Sequence, residues 1–508
     1  MIRSSHPSSS RTATAAALAI VACAAMTACT VGPDYHAPQM TVKNAWADAT
    51  AEITTQPASA QPTTSPATKP ALQVGKAVDT QWWKQFDDPH LNTLIDQAMK
   101  SSPDLVIAAN RVLEARAQSA VTASGQYPSA NLGGTYDYYH RAGPLAATIP
   151  GDYQWYQVGF DASWEIDVFG GIRRSVESST ATYQASIEEA RGVRLTLISE
   201  VVRNYVDLRA AQRRLLIARR NLEYQQNTLK ITRERLAAGV VGELDVSRAE
   251  ALVAQTSSTI PPLQDKASEA VRSLGVLLGQ DPDQFSGLLQ TDEPIPPAPG
   301  SLAVGLPGDL LRRRPDIRAA ERQLAAANAQ IGEATANLYP RFALLGGIGQ
   351  LDVETQHFFD WSRHYAAIGP EMSWDIFDAG RTNAQINSQK AATAAALARY
   401  QKTVLSALAE VENAMTSLNS ERERHAALAD AVDANRKSVA TASQLYIQGV
   451  TDFITVLDSE RSLAASEDAL AASEQAIDIQ VVALCNALGG GWESTEPPPS
   501  AAIASTSR

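Results

Sequence analysis

Cysteine, histidine and aromatic side chains are scarce in this chain of 508 residues, and each shortage removes a class of chemistry. There are three cysteines, Cys23, Cys29 and Cys485, and Cys23 lies in a segment expected to be cleaved, so no disulfide framework is expected. The seven histidines are scattered, with no HExxH pair and no Cys/His spacing suited to a metal ion. There is no GxSxG elbow and no GxxxxGK(S/T) loop. The run Gly346-Gly347-Ile348-Gly349 is glycine-rich, but no helix opens behind it, so it lacks the strand–turn–helix context of a phosphate loop. No nucleophile, base or metal site emerges, so the chain is not expected to be an enzyme or to carry a metal or soluble cofactor. Positive charge is also short: the formal balance is −12, and nearer −14 once a leader containing Arg3 and Arg11 is removed. That argues against a nucleic-acid partner, which wants a basic face. Only 6% of residues are aromatic. Ala, Ser, Gln, Leu and Glu dominate instead, a mixture that suits long helices.

Residues 1–28 carry Arg3 and Arg11 and then an Ala-rich apolar stretch from Thr12 to Ala28, the two parts of a secretory leader. The stretch is too short and too Ala-rich for a membrane span. Met26-Thr27-Ala28-Cys29 resembles a lipobox, in which small residues precede a cysteine that is acylated and becomes the new N-terminus. Ile20-Val21-Ala22-Cys23 also fits. Residues 29–80 are expected to form an N-terminal tether. Its 47–80 stretch, with Pro57, Pro62, Pro66 and Pro70, has too little apolar surface to bury and reads as extended or disordered. Order is expected to begin near Trp82-Trp83.

The rest is one unit written twice. Trp164-Glu165-Ile166 recurs 210 residues later as Trp374-Asp375-Ile376, Gly170 as Gly380, Gly239-Val240 as Gly449-Val450, and Leu278-Gly279 as Leu488-Gly489. Upstream the spacing is 212: Pro103-Asp104-Leu105 answers Pro315-Asp316-Ile317, and Tyr127-Pro128 answers Tyr339-Pro340. The copies span 81–290 and 291–492, each reading helix, two strands, then a long helical hairpin, and 493–508 reads as a disordered tail. Pro294, Pro296, Pro297 and Pro299 mark the link. Pro261-Pro262 are expected to break the returning helix of the first copy.

The hairpins carry a coiled-coil period. Val201, Leu208, Leu215, Leu222, Leu229 and Leu236 fall every seven residues, as do Val456, Leu463, Leu470, Ile477 and Leu484. Val404, Leu408, Val411, Met415 and Leu418 step by four and three. The limb from 172 to 237 would reach about 100 Å as a helix, long for a compact domain. Strands are expected near 130–140, 154–166, 341–351 and 365–376. Tyr156, Val158, Phe160, Ala162 and Trp164 alternate with Gln157, Gly159, Asp161, Ser163 and Glu165. In the second copy Ile368, Met372 and Trp374 alternate with Gly369, Glu371, Ser373 and Asp375. Apolar-out, polar-in alternation over about ten residues suits a membrane barrel strand. No other strand-rich segment is evident for a soluble sheet to pair with. Four strands cannot close a barrel, and lipid tolerates no open sheet edge, so the chain is expected to oligomerise. The number of chains is not fixed by this arithmetic. The fold class is therefore mainly α with a transmembrane β part, in two tandem structural repeats.

The ordered motifs resemble those of the TolC-like outer-membrane efflux proteins, in the NodT-type lipoprotein branch, from Cys29 to about Trp492. The most specific stretch is Leu310-Leu311-Arg312-Arg313-Arg314-Pro315-Asp316-Ile317-Arg318-Ala319-Ala320-Glu321. Trp82-Trp83, Phe86 and Asp88-Pro89 also match, and Thr30-Val31-Gly32-Pro33-Asp34-Tyr35 is similar to the family's mature start. That favours Cys29 as the acylated residue, with diacylglycerol and an N-acyl chain. Thr30 after it implies sorting to the outer membrane. The resemblance further implies a homotrimer with a twelve-stranded barrel and a twelve-helix periplasmic tube. A periplasmic adaptor would join it to an inner-membrane pump of the resistance–nodulation–division type, and small molecules such as drugs or toxic compounds would pass out. Asp161, Glu165, Glu371 and Asp375 would face the lumen. Gly239, Val240, Gly449 and Val450, at the hairpin tips, would meet the adaptor. Ile454 and Asp458, four apart on one helix face, would line the narrowest ring. Asp245 and Tyr446 match a latch between neighbouring hairpins, although Thr451 and Thr455 depart from the family pattern there.

Two alternatives stay open: the exit duct of a type I protein secretion system, which has the same fold, and a periplasmic coiled-coil lipoprotein that never spans the membrane. Arg312-Arg313-Arg314 reads as the end of a short helix paired with nearby acids rather than an anion patch. Arg219-Arg220 and Glu421-Arg422-Glu423-Arg424 read as solvated faces.

Overall fold

The computed structural model describes residues 30–46, 71–76, 78–140, 152–289, 293–352, 360, 362 and 364–493. Cys29, Cys23 and the expected leader and tail lie outside them, apart from Glu493. The helices α1 (Pro89–Ser101) and α2 (Pro103–Ser124) precede strands β2 (Ser129–His140) and β3 (Asp152–Ile166) and the hairpin of α3 (Gly171–Ala237) and α4 (Glu243–Leu278). The second half repeats the pattern with α5 (Pro315–Ala336), β5 (Arg341–Asp352), β6 (His364–Ser373), α6 (Arg381–Ile447) and α7 (Phe453–Ala487). Two short strands, β1 (Ala71–Val74) and β4 (Ser301–Val304), complete the set. The repeat extends to length: α3 and α6 each have 67 residues, and α2 and α5 each have 22.

The copies do not fold as separate bodies. Two compact units form, and each draws on both copies. The first takes the described residues up to Gln39 with Val112–Ser186 and Ala319–Tyr400; the second takes Met40–Arg111, Ile187–Arg318 and Gln401 onward. The reason is pairing. An amphipathic strand or helix from one copy cannot bury its apolar side alone and finds its complement in the other.

In the first unit the four long strands form one antiparallel sheet in the order β2-β3-β5-β6, leaving β2 and β6 as edges. Its register aligns like with like. Leu132, Phe160, Ile348 and Ala366 lie in one row, and Ala130, Ala162, Gly346 and Ile368 in the next. The strand β6 ends at Ser373, so the expected run to 376 is too long. Asp375 lies beyond it and pairs with Arg381 at 2.9 Å, at the start of α6. Below the sheet, residues 30–35 are docked rather than tethered. Val31 N donates to the Phe169 carbonyl at 3.1 Å. Arg174 donates to the carbonyls of Val31 and Gly32 and reaches Asp34 at 2.7 Å. Asn328 holds the Pro33 carbonyl, and the Tyr35 hydroxyl donates to Glu321 at 3.1 Å.

In the second unit Trp46 is 1% exposed and donates to the Gly305 carbonyl at 2.7 Å, while β1 pairs in parallel with β4. Order therefore begins well before Trp82, and a second, small sheet exists that the sequence did not announce. Each is too short, four residues, to show a period. The Trp82-Trp83…Asp88-Pro89 motif is a packing corner. Trp82 donates to the Gly490 carbonyl, Asp88 caps α1 through the N–H groups of His90 and Leu91, and Pro89 fills the first helical position, where its missing N–H costs nothing. Pro261 and Pro262 do not break α4, which runs through them. The prolines are exposed, and so are Ser257 and Ser258, whose carbonyls lose their donors four residues on.

The long helices pack on the expected stripe: Val201, Leu208, Val411, Met415 and Leu484 are fully buried. Helices α3 and α7, from different copies, are also joined by polar rungs. Gln475 donates to Asp207 at 2.6 Å, Arg214 grips Asp468 at 2.7 and 2.8 Å, Arg220 reaches Glu467 at 2.6 Å, and Thr228 donates to Glu460 at 2.8 Å. Arg219 and Arg220 are exposed, and Arg220 is tied to Glu467 from that exposed position. Glu423 and Arg424 are exposed, whereas Glu421 and Arg422 are half-buried, with Glu421 accepting from Ser473 and Arg424. The Arg312–Arg314 run does end a short helical turn, Leu310–Arg313, and Arg314 pairs with Asp316 and Glu410.

Candidate functional site

Two surfaces carry the chemistry. The first is the sheet of the first unit. Its apolar residues are exposed: Phe160 by 58%, Ile368 by 81%, Met372 by 62%. An apolar sheet face of this extent is costly in water and marks a surface made for lipid or protein. Trp164 and Trp374 stand at equivalent places in the copies. Their indoles donate to the carbonyls of Gln126 and Leu338, each the residue before the Tyr-Pro pair. The opposite face is mostly polar and small, although Leu345 and Tyr139 are also exposed on it. Asn131, Asp161 and Gly347 share one row, and Glu165, Ala343 and Glu371 another. Asp161, Glu165 and Glu371 are all exposed on it. Here the glycine-rich run finds its use. Tyr365 lies across the sheet over Gly159 and Gly349, where a Cβ would stand 2.7 and 3.0 Å from its ring or hydroxyl, and Gln157 donates to that hydroxyl at 3.1 Å.

The second surface is the pair of hairpin tips in the second unit. Each outgoing helix ends in the same motif. Gly239 N–H bonds to the Leu236 carbonyl and Val240 N–H to Arg235; Gly449 bonds to Tyr446 and Val450 to Leu445. Gly239 and Gly449 have φ of +73° and +76°, which a side chain would strain. Val240, Leu244, Ile447 and Val450 are exposed apolar residues at these turns. Beneath them Leu229, Val246, Leu252, Tyr446, Phe453, Val456 and Leu457 form one buried cluster. Ile454 and Asp458 are exposed together, while Val456 faces the cluster, so the helix presents the two expected residues on its open side. Arg461 does not pair with Asp458, and among the described residues Asp458 has no ion-pair partner. The Tyr446–Asp245 latch is not formed in this chain. Tyr446 is 7% exposed, its hydroxyl is buried without a hydrogen bond, and its ring packs against Phe453.

Several buried or half-buried acids escaped the sequence reading. Glu460, Glu467 and Glu474 follow Val456, Leu463 and Leu470 by four, so the heptad itself places three acids beside the packed stripe of α7, with Glu467 buried and the other two half-buried. Glu467 is 5% exposed and bridges Arg220 and Arg436. Burial raises the Glu460 carboxyl above its usual range. Asp478 is 2% exposed, and burial, with Glu474 one turn away, pushes its carboxyl up to about 8.

A sequence profile of outer membrane efflux proteins matches residues 94–280 and again 306–490. The chain is 30% identical over 469 residues to the outer membrane protein OprJ of Pseudomonas aeruginosa, covering 92% of this chain and 94% of that one. It is 32% identical to the pyoverdine export outer membrane protein OpmQ of the same species, over 82% of this chain and 88% of that one. The solved structure of the outer-membrane channel OprN superposes with a TM-score of 0.81 at 37% identity, covering 92% of this chain and all of that one.

Proposed function

Because the chain belongs to the outer membrane efflux protein family, we propose that it is the passive exit duct of a tripartite efflux system, carrying small molecules such as drugs or other toxic compounds out of the cell. The observation that carries this is the sheet. It exposes apolar side chains on one face and carboxylates on the other, and among the described residues no further strand pairs with β2 or β6 at its edges. Open edges are not tolerated in hydrocarbon, so copies must join edge to edge. With four strands per copy, β6 of one can pair antiparallel with β2 of the next, and three copies give twelve strands. The apolar face meets lipid, and Asp161, Glu165 and Glu371 lie on the lumen side.

The chain supplies no energy in this reading. An inner-membrane pump, of the resistance–nodulation–division type, does so, and a periplasmic adaptor docks on the tips at Gly239, Val240, Gly449 and Val450. Ile454 and Asp458 line the constriction. Acylation at Cys29 would anchor the chain next to the docked residues 30–35, at the foot of the sheet. The exported cargo of OpmQ, pyoverdine, favours small molecules over a secreted protein.

The test is purification of the full-length chain from outer membranes. Heat-modifiable trimers that conduct in planar bilayers, and photocrosslinks from Val240 and Val450 to an adaptor in cells, support the reading. A monomer released into solution once its acyl anchor is removed would refute it and favour the non-spanning lipoprotein.

A further inference from the structure

The polar rungs between α3 and α7 recur at Asp207, Arg214, Arg220 and Thr228 and stop there. Arg235, seven residues after Thr228, is the next rung toward the tip, and it turns elsewhere. Its Nη1 donates to the Tyr446 carbonyl on α6 at 3.0 Å, and its guanidinium lies 4.3 Å from the centre of the Tyr446 ring. Between residues 229–252 and 442–457, all of them described, this is the one hydrogen bond that joins the two tips.

The partner is a specific one. Tyr446 is in the last turn of α6, so its carbonyl is among the acceptors a helix leaves without an internal donor. One lone pair takes the Gly449 N–H that closes the turn, at 3.0 Å; the other takes Arg235. Arg235 is also in the last turn of α3. One cation thus sits at the negative ends of two helix dipoles. Its flat face covers the ring, whose hydroxyl has no partner of its own. The ring's centre is 5.5 Å from that of Phe453, the first residue of α7 and the neighbour of Ile454. Two packed rings thus form a continuous contact path from Arg235 to the base of the helix that carries Ile454 and Asp458.

We propose that Arg235 is the catch between the two hairpin tips: it holds them together at rest, keeps the Ile454 and Asp458 constriction closed, and must let go for the duct to open. The proposal rests on the duct reading. Arg235 is a positioning residue, since it acts through Tyr446 and Phe453. A lysine could keep the hydrogen bond but not the flat contact, and a methionine could cover the ring without donating.

The experiment uses purified full-length trimers of the parent, Arg235→Ala, Arg235→Lys and Arg235→Met. Spin labels on cysteines at the exposed Val240 and Val450 report the distance between the tips, and planar-bilayer recordings report resting conductance. Arg235→Ala should broaden the distance distribution and raise resting open probability on the order of tenfold, the scale set by losing a charge-assisted bond. Arg235→Lys should fall between, and Arg235→Met should open the tips although the ring stays covered. Heat-modifiable trimers should persist in all variants. A parent-like distance distribution in Arg235→Ala overturns the proposal, and so does a broadened one with unchanged conductance. Ile454→Gly separates the two levels. If it raises conductance while Arg235→Ala does not, the constriction stands and the catch falls. If neither does, the placement of the constriction falls as well.

Discussion

Replacing Asp478 by asparagine should stabilise the helical part of this protein, and more so as the pH rises. Asp478 is 2% exposed in α7, and Glu474 stands one helical turn before it. Both raise its carboxyl, from 3.8 to about 8. In the folded chain the proton is held up to about pH 8, while in the unfolded chain it leaves near pH 4. Between those values the native state binds more protons than the unfolded state, so stability falls as pH increases. Above about pH 8 the loss is complete and amounts to at most about 6 kcal/mol per chain, at 1.36 kcal/mol for each pKa unit. At pH 5 only about 2 kcal/mol of it has developed. Asparagine cannot ionise and fills nearly the same volume, so Asp478→Asn escapes the loss. The assay is thermal melting of the detergent-solubilised protein, followed by helical circular dichroism at pH 5 and pH 8.5. The variant should melt several degrees above the parent at pH 8.5, and the gap should shrink markedly at pH 5. A variant that melts at or below the parent temperature at pH 8.5, or a gap that does not change with pH, would refute the reasoning.

Asp458→Asn should lower cation selectivity and weaken block by multivalent cations in bilayer recordings, because three carboxylates about 8 Å apart repel by roughly 2 kcal/mol per pair at a dielectric near 20 and so attract a counter-ion; unchanged selectivity and block would place the constriction elsewhere. Cysteines placed at Asp161 and Glu371 should react with a water-soluble thiol reagent in intact membranes, while those at Phe160 and Met372 should not, although all four are exposed in the single chain; equal labelling would count against a barrel. Mass spectrometry of the mature protein should find an acylated peptide that begins at Cys29 and continues Thr30-Val31-Gly32, and an N-terminus at Cys23 would remove that assignment.

The sequence alone determined whatever depends on period and repetition. Spacings of 210 and 212 residues fixed the two copies, because a unit written twice must fold twice. Alternation in Tyr156–Trp164 fixed which side chains share a face, and the seven-residue step fixed the buried stripe of Val201, Leu208 and Leu484. Gly239 and Gly449 located the turns, because a positive φ leaves a compositional mark. Tertiary structure decided where partners from distant segments meet. Trp46 and residues 71–74 look like linker, yet Gly305 and β4 give them places to pack. Pro261 and Pro262 look like a break, yet the helix runs through them at a place where they and the two residues whose carbonyls lose their donors, Ser257 and Ser258, are exposed. Asp375 continued the alternation on paper, but β6 stops at Ser373 and Asp375 turns to Arg381. The hairpin tips show the limit most clearly. Tyr446 and Asp245 were legible as a possible latch, but which group Tyr446 meets depends on how α3 and α6 end beside each other. There a guanidinium from one copy reaches a last-turn carbonyl of the other, and no local pattern encodes that meeting.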